Sequence, residues 1–245
     1  MIKLFLLFLG LGWSAILFVC AFIWIIPWMG LVYIAGWLSH ARPWPELKNY
    51  KIWEWLRNHY FKFKVIGELP EEGPVIYAIY PHGHFSISAV FYFALNPKFA
   101  NSRAAVHSLL FWIPIFGSFV RWINAIPVVE DEMVKTLLSG SSIYMCPGGI
   151  ADILNTGTNI TKRSGFLRVA RKAKVDVIPI WCPMERHYYS HWAPFNGLIP
   201  IIIWGLWWFP FLPRSVSNYS PILIGKRINP TNEDDFWSEM DKLQQ

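Results

Sequence analysis

The sequence predicts an α/β domain preceded by an apolar hairpin, and two observations carry that reading. Between Met1 and Leu38 the only charged side chain is Lys3. From residue 65 onward, short apolar runs of strand length alternate with helical segments. Composition supports both: the 245 residues are 54% hydrophobic and only 16% charged, where an ordinary soluble domain carries about 25% charge. The 15 Trp, 18 Phe and 10 Tyr add aromatic weight of the kind that favours a membrane–water interface. This composition excludes a disordered chain, a coiled coil and a collagen-like repeat.

Taken in order, the N-terminal run exceeds the roughly 20 residues that one helical crossing needs. It is also longer than the 7–15 or so residues of a signal-peptide core. Pro27, with Trp24 and Trp28 beside it, divides the run. A hairpin over residues 1–40 that crosses or re-enters the membrane is expected. One long span ending near Pro27 and a buried soluble helix pair are the alternatives. Arg42, Lys48, Lys51, Arg57, Lys62 and Lys64 follow and place the domain of residues 41–245 on the cytosolic side. Within it, 44–64 reads as an interfacial helix, aromatic on one side and basic on the other, or as a plain amphipathic helix packed on the domain.

A Gly-Pro-rich turn then precedes a strand at Val75–Tyr80. Further strands are expected at Ala125–Val129, Ile143–Cys146 and Val177–Cys182. Helices are expected at Glu130–Ser139, stopped by Gly140, and at Ser164–Lys174. The run Leu198–Pro213, interrupted by prolines, reads as partly immersed in one leaflet or as a buried core segment. Glu233–Lys242 reads as a solvated helix. Ligands in such folds sit beyond the carboxyl ends of the strands, and the polar motifs follow Tyr80, Cys146 and Cys182.

The first motif is Tyr80-Pro81-His82-Gly83-His84. Pro81 sets the chain's exit from the strand, and Gly83 lets backbone approach a ligand. A histidine held there can take a proton from a hydroxyl near neutral pH. The second is Cys146-Pro147-Gly148-Gly149-Ile150-Ala151-Asp152. Its adjacent glycines suit a phosphate or a developing oxyanion. Asp152 is either a partner that orients the histidine or a helix N-cap. The third runs from Thr161 to Lys174, with six basic residues and no acidic one. Phe166, Ala170 and Ala173 share one helical face, and Arg168, Arg171 and Lys172 another. That cationic face suits a phosphorylated ligand such as coenzyme A, or simply solvent near anionic lipid. Glu185 is a further candidate carboxylate. The net charge of +6 and pI of about 9.2 favour anionic lipid or a phosphate-bearing substrate over nucleic acid. Three dispersed cysteines (Cys20, Cys146, Cys182) suggest neither a disulfide framework nor a zinc site.

In this order, these residues resemble the type-2 diacylglycerol acyltransferase family, with its monoacylglycerol and wax-ester relatives. The anchors are Tyr80-Pro81-His82-Gly83, Pro147-Gly148-Gly149 with a carboxylate three residues on, and Arg163-Ser164-Gly165-Phe166 with Ala170. Val177-Ile178-Pro179-Ile180 before Glu185 and Ile224-Gly225-Lys226 before Pro230 complete them. Two departures stand out: Asp152 occupies a position where the family usually has Glu, and Cys182-Pro183-Met184 replaces the usual Phe-Gly before Glu185.

The resemblance implies an acyltransferase-type domain with a central mixed sheet flanked by helices. It implies transfer from acyl-coenzyme A to a lipid hydroxyl, foremost that of diacylglycerol, giving triacylglycerol. His82, Asp152 and Glu185 would be catalytic. Tyr80, Pro81, Gly83, His84, Pro147, Gly148, Gly149, Arg163, Gly165, Phe166 and Arg168 would contact substrate. No metal and no permanently bound cofactor is implied. The expected partners are acyl-coenzyme A, a glyceride or other lipid alcohol, and membrane lipid. The expected location is the endoplasmic reticulum membrane or the lipid droplet, with the catalytic domain in the cytosol. Monoacylglycerol or fatty-alcohol acylation, a non-catalytic membrane lipid-binding protein, and a thioester mechanism on Cys146 are the alternatives.

Overall fold

The computed structural model describes residues 27–28, 30–31, 42–69, 73–113, 116–149, 151–152, 160–192, 202–204, 213–216 and 218–245. The expected hairpin at 1–40 lies outside them, apart from helical pieces at 27–28 and 30–31. Among the described residues, no helix is long and apolar enough to cross a membrane. The run Leu198–Pro213 also lies outside them, except for Ile202–Trp204 and Pro213.

Residues 44–64 depart from the single helix expected there. A 3₁₀ turn over Pro45–Asn49 leads into α1 (Lys51–Trp55) and a wide turn over Leu56–Tyr60. Lys62, at a φ of 50°, then redirects the chain into β1 (Phe63–Ile66). Trp53 is drawn inward: its indole N–H donates to the Leu47 carbonyl at 2.7 Å and its ring packs on Phe91. Trp44, Tyr50, Ile52 and Trp55 remain exposed.

The core is a seven-stranded sheet in the order β1-β9-β6-β2-β5-β3-β4. Its members after β1 are β2 (Val75–Tyr80), β3 (Ser102–Val106), β4 (Ile126–Pro127), β5 (Ser142–Met145), β6 (Asp176–Trp181) and β9 (Ser220–Ile224). Strands β6, β2, β5, β3 and β4 run parallel. β9 is antiparallel to β6 and parallel to β1, so the sheet is mixed, as expected. A separate antiparallel pair joins β7 (Ser190–Trp192) to β8 (Ile202–Trp204). The strand expected at Ala125–Val129 shrinks to two residues.

Every residue of β2 is buried, because side chains alternate between two covered faces. Ile76, Ala78 and Tyr80 join one cluster with Phe166, Leu167, Ala170 and Phe236. Val75, Tyr77 and Ile79 join the other with Phe93, Phe99 and Tyr144. The first cluster takes its helices from α3 (Glu130–Leu138), α4 (Gly165–Ala173) and α5 (Glu233–Leu243). Gly140, at a φ of 88°, follows α3, and Lys174, at 56°, caps α4, which matches the expected ends of both helices. The acidic tail is no free solvated helix: Phe236, Trp237 and Met240 of α5 are buried against the sheet. The domain boundary at residue 41 and its internal interfacial segments remain expectations.

Candidate active site

Strands β6, β2 and β5 are neighbours and parallel, so the motifs that follow them gather at one edge of the sheet. The chain leaves β2 through a cis Tyr80–Pro81 peptide and presents His82. The His82 ring Nδ1 lies 2.5 Å from the Gly83 carbonyl and 3.3 Å from the Ser86 hydroxyl. A carbonyl only accepts, so Nδ1 carries the proton and donates, and Nε2 keeps the lone pair. Burial pulls the imidazole below its ordinary pKa of 6.5, while the Gly83 carbonyl and the Asp152 charge pull it up. At neutral pH the ring is therefore in its basic form.

Asp152 does not reach the ring. Its Oδ2 accepts the His82 backbone N–H at 3.3 Å, and its Oδ1 accepts the Thr161 N–H at 2.6 Å. The carboxylate is almost fully buried and ties the His82 loop to the entry of the third motif. It thus holds the histidine by the main chain and acts on the ring only through its charge, and the Gly83 carbonyl orients the imidazole. A β-carbon on Gly148 would collide with this carboxylate; the first glycine of the second motif makes room for Asp152.

Gly83 serves Glu185 in the same way. A β-carbon at 83 would stand 2.6 Å from Glu185 Cγ and 2.7 Å from Oε1. The close approach expected of a ligand is made by a protein carboxyl instead. Glu185 Oε2 accepts the Ser88 N–H at 3.0 Å. Burial, opposed by the hydrogen bonds from Ser88 and Ile87, pushes this carboxyl up to about 7. The Gly149 N–H donates to the Cys146 carbonyl at 3.2 Å, so it is spent within the turn. The Gly148 N–H has no hydrogen-bond partner among the described residues.

Several of the residues expected to contact substrate are packed within the fold. Tyr80 is fully buried, with its ring edge-on to Trp237 at 6.0 Å; burial holds its phenol far above the ordinary range. Phe166 packs on Phe236 in the core. Pro81 and Pro147 are buried. Arg168 and Lys172 both pair with Glu130, and Arg171 donates to the Pro230 carbonyl. Glu130 of α3 thus offsets one of the charges on the cationic face of α4. Arg163 differs: its guanidinium lies 3.4 Å from where a β-carbon of Gly149 would stand, over the second motif's turn. It has no ion-pair partner among the described residues. Gly165 is exposed at the start of α4. His84 lies 6.3 Å from the Tyr189 ring, centroid to centroid.

Cys146 and Cys182 are unbridged. Burial, reinforced by the Glu185 and Asp152 charges and opposed by Ser86, pushes the Cys146 thiol up to about 12. That keeps it protonated, and a thiol nucleophile needs the thiolate. Among the described residues, no group of His, Cys, Asp or Glu could hold a metal ion. The sequence reading had no signal for Ser86 and Ser88, which join this cluster only through the fold.

A tautomer-fixed histidine at the carboxyl ends of parallel strands has the chemistry of a general base, and comparisons supply the family. The diacylglycerol acyltransferase family pattern matches residues 15–202, and the chain belongs to that family of acyltransferases. It is 24% identical to human 2-acylglycerol O-acyltransferase 3, over 93% of this chain and 80% of that one. It is 28% identical to diacylglycerol O-acyltransferase 2B of Umbelopsis ramanniana, over 76% of this chain and 61% of that one. Identity to Xenopus tropicalis diacylglycerol O-acyltransferase 2 is 25%, over 82% and 60% respectively. The chain thus spans less than two thirds of the length of the latter two. The 1-acyl-sn-glycerophosphate (LPA) acyltransferase PlsC of Thermotoga maritima superposes with a TM-score of 0.49 at 17% identity, covering 92% of this chain and 90% of that one.

Proposed function

We propose that the protein transfers a fatty acyl group from acyl-coenzyme A to the hydroxyl of diacylglycerol, forming triacylglycerol, with His82 as general base. The observation that carries this is the Nδ1 contact of His82 with the Gly83 carbonyl at 2.5 Å, which leaves Nε2 as the proton acceptor. The acceptor hydroxyl gives its proton to Nε2 as its oxygen attacks the thioester carbonyl carbon. The carbonyl becomes a tetrahedral oxyanion, for which the Gly148 N–H and Arg163 are the proposed donors. Collapse of the intermediate breaks the carbon–sulfur bond. The coenzyme A thiolate leaves and takes the proton from the imidazolium.

Asp152 and Glu185 act as positioning residues in this scheme. Asp152 holds the His82 main chain, and Glu185 supports Gly83 from beneath. His84 and Gly165 border the substrate space. The enzyme works at the endoplasmic reticulum membrane or lipid droplet, held by a hairpin within residues 1–40, with its catalytic domain in the cytosol. A second reading, acylation of monoacylglycerol, is favoured by the coverage of human 2-acylglycerol O-acyltransferase 3.

The test is product analysis. Purified protein in bilayers receives labelled acyl-coenzyme A with diacylglycerol, monoacylglycerol or fatty alcohol. Triacylglycerol is expected as the main product, and His82→Ala should lower turnover by about 100-fold or more. Cys146→Ala should keep a substantial part of the activity, and acyl-coenzyme A alone should leave no hydroxylamine-sensitive label on the protein. A fully active His82→Ala enzyme would overturn the base assignment. Absence of any acylated lipid would leave a non-catalytic lipid-binding protein.

A further inference from the structure

After β3 the chain builds a stiff apolar outcrop. The His107 ring caps the Leu109 N–H at 3.2 Å and opens a 3₁₀ turn over Ser108–Phe111. From α2 (Phe116–Trp122), Arg121 donates to the Phe111 carbonyl at 2.9 Å, with its guanidinium over the Phe111 ring. Gly117 donates to the Ile113 carbonyl at 2.7 Å. This pinned scaffold holds its apolar side chains in the open: Trp112 is 71% exposed, Leu109 59%, Phe116 44% and Trp122 38%. Trp44 extends the outcrop, edge-on to Trp122 at 6.0 Å, with its N–H on the Trp122 carbonyl.

An aromatic-rich patch of this kind marks an interaction surface, and its charge setting selects the partner. Residues 73–129 contain no Asp or Glu but include Lys98, Arg103 and Arg121. Around Trp44 the basic residues Arg42, Lys48 and Lys51 outnumber Glu46, and such a net-cationic setting with protruding Trp and Leu complements an anionic lipid surface.

The outcrop also touches the catalytic loop. Phe116 stacks on Phe85 with centroids 6.2 Å apart and planes 7° from parallel. Phe85 in turn meets Tyr189 edge-on at 4.9 Å, and it lies three residues beyond His82.

We propose that the outcrop of residues 108–113 and 116–122, with Trp44, inserts shallowly into a lipid surface and delivers an acceptor lipid past Phe116 and Phe85 to His82. The insertion stands on geometry alone; the delivery rests on the acyl-transfer reading above.

The test uses the full chain in phosphatidylcholine vesicles with and without phosphatidylserine. A benzophenone amino acid is placed at position 112 and, as control, at the exposed Leu138, where α3 ends. Photolysis should attach phospholipid at 112, more so with phosphatidylserine, and little at 138. Capture of the chain itself, either its N-terminal run or a second copy, would overturn insertion, and so would equal labelling at both positions. For delivery, the double variant Leu109→Ser/Trp112→Ser should raise the KM for bilayer-embedded acceptor by about tenfold or more. Its kcat/KM for a water-soluble short-chain acceptor should stay at the wild-type value. An unchanged bilayer KM, or an equal loss on both acceptors, would overturn delivery. A wild-type enzyme inactive on every acceptor would sink the acyl-transfer reading, while the photolysis result would still decide insertion.

Discussion

Gly83 and Glu185 share one space: the carboxyl of Glu185 occupies the position that any side chain at 83 would need. The motif glycine is therefore the complement of a buried acid. The turn's own dihedrals do not demand it, since Gly83 is not among the glycines with positive φ.

Gly83→Ala should accordingly destabilise the fold by about 1–3 kcal/mol through overpacking and move His82 off its carbonyl. Pairing it with Glu185→Ala should recover part of that stability, because the two changes relieve one clash. Chemical denaturation of the two single variants and the double variant measures the coupling. Strictly additive effects would show that the residues do not interact.

Glu185 also carries a pH signature. Its carboxyl is raised from 4.5 to about 7 in the folded state. Its favourable contribution is therefore present below about pH 4.5 and is lost as pH rises through about 7. Glu185→Gln keeps the neutral form at every pH. The Tm difference, variant minus wild type, should be near zero at pH 4.5 and reach about 3 °C or more in favour of the variant at pH 8. A difference that does not change with pH would refute the buried-acid account.

His82 is expected to set the acid limb of the kcat/KM profile. Burial lowers its pKa from 6.5, and the base form is the active one. Activity should thus fall only below pH 6.5 and stay level through neutrality. An inflection above pH 7 would point to another group.

Asp152→Asn offers one acceptor oxygen where two N–H groups, from His82 and Thr161, converge. One tie is lost, at a cost of about 1–3 kcal/mol for the unpaired donor, and turnover should fall about ten-fold. Because the Asp152 charge raises the histidine's pKa, the acid limb should also move to lower pH. An Asn variant with full activity and an unmoved limb would show that Asp152 only closes the loop.

The local parts of this site could be read from sequence because each is contiguous. His82 follows a six-residue apolar run, Gly148 follows another, and α4 shows its buried stripe by spacing. What could not be read is what crosses the fold. No local pattern announces that Glu185 packs on Gly83, that Asp152 meets a main-chain N–H, or that Glu130 pairs with both Arg168 and Lys172. Strand β1 was hidden because Phe63 and Val65 alternate with basic residues and continue an aromatic-basic stretch that mimics an interfacial helix. β9 was hidden by Pro221 within it, and β3 by its short, small side chains.

The pairing of β1 with β9 bears on how the protein is made. Among the described residues, Phe63–Ile66 hydrogen-bonds to no strand but Ser220–Ile224. The ribosome emits the first of these long before the second, roughly ten to thirty seconds earlier at ordinary elongation rates. For that interval the nascent chain carries an orphan strand, with Phe63 and Val65 uncovered. The parallel strands β2, β5 and β6 can assemble among themselves meanwhile. This edge of the sheet waits until Ser220–Ile224 has emerged, and a chain stalled before Ser220 would expose that strand to quality control.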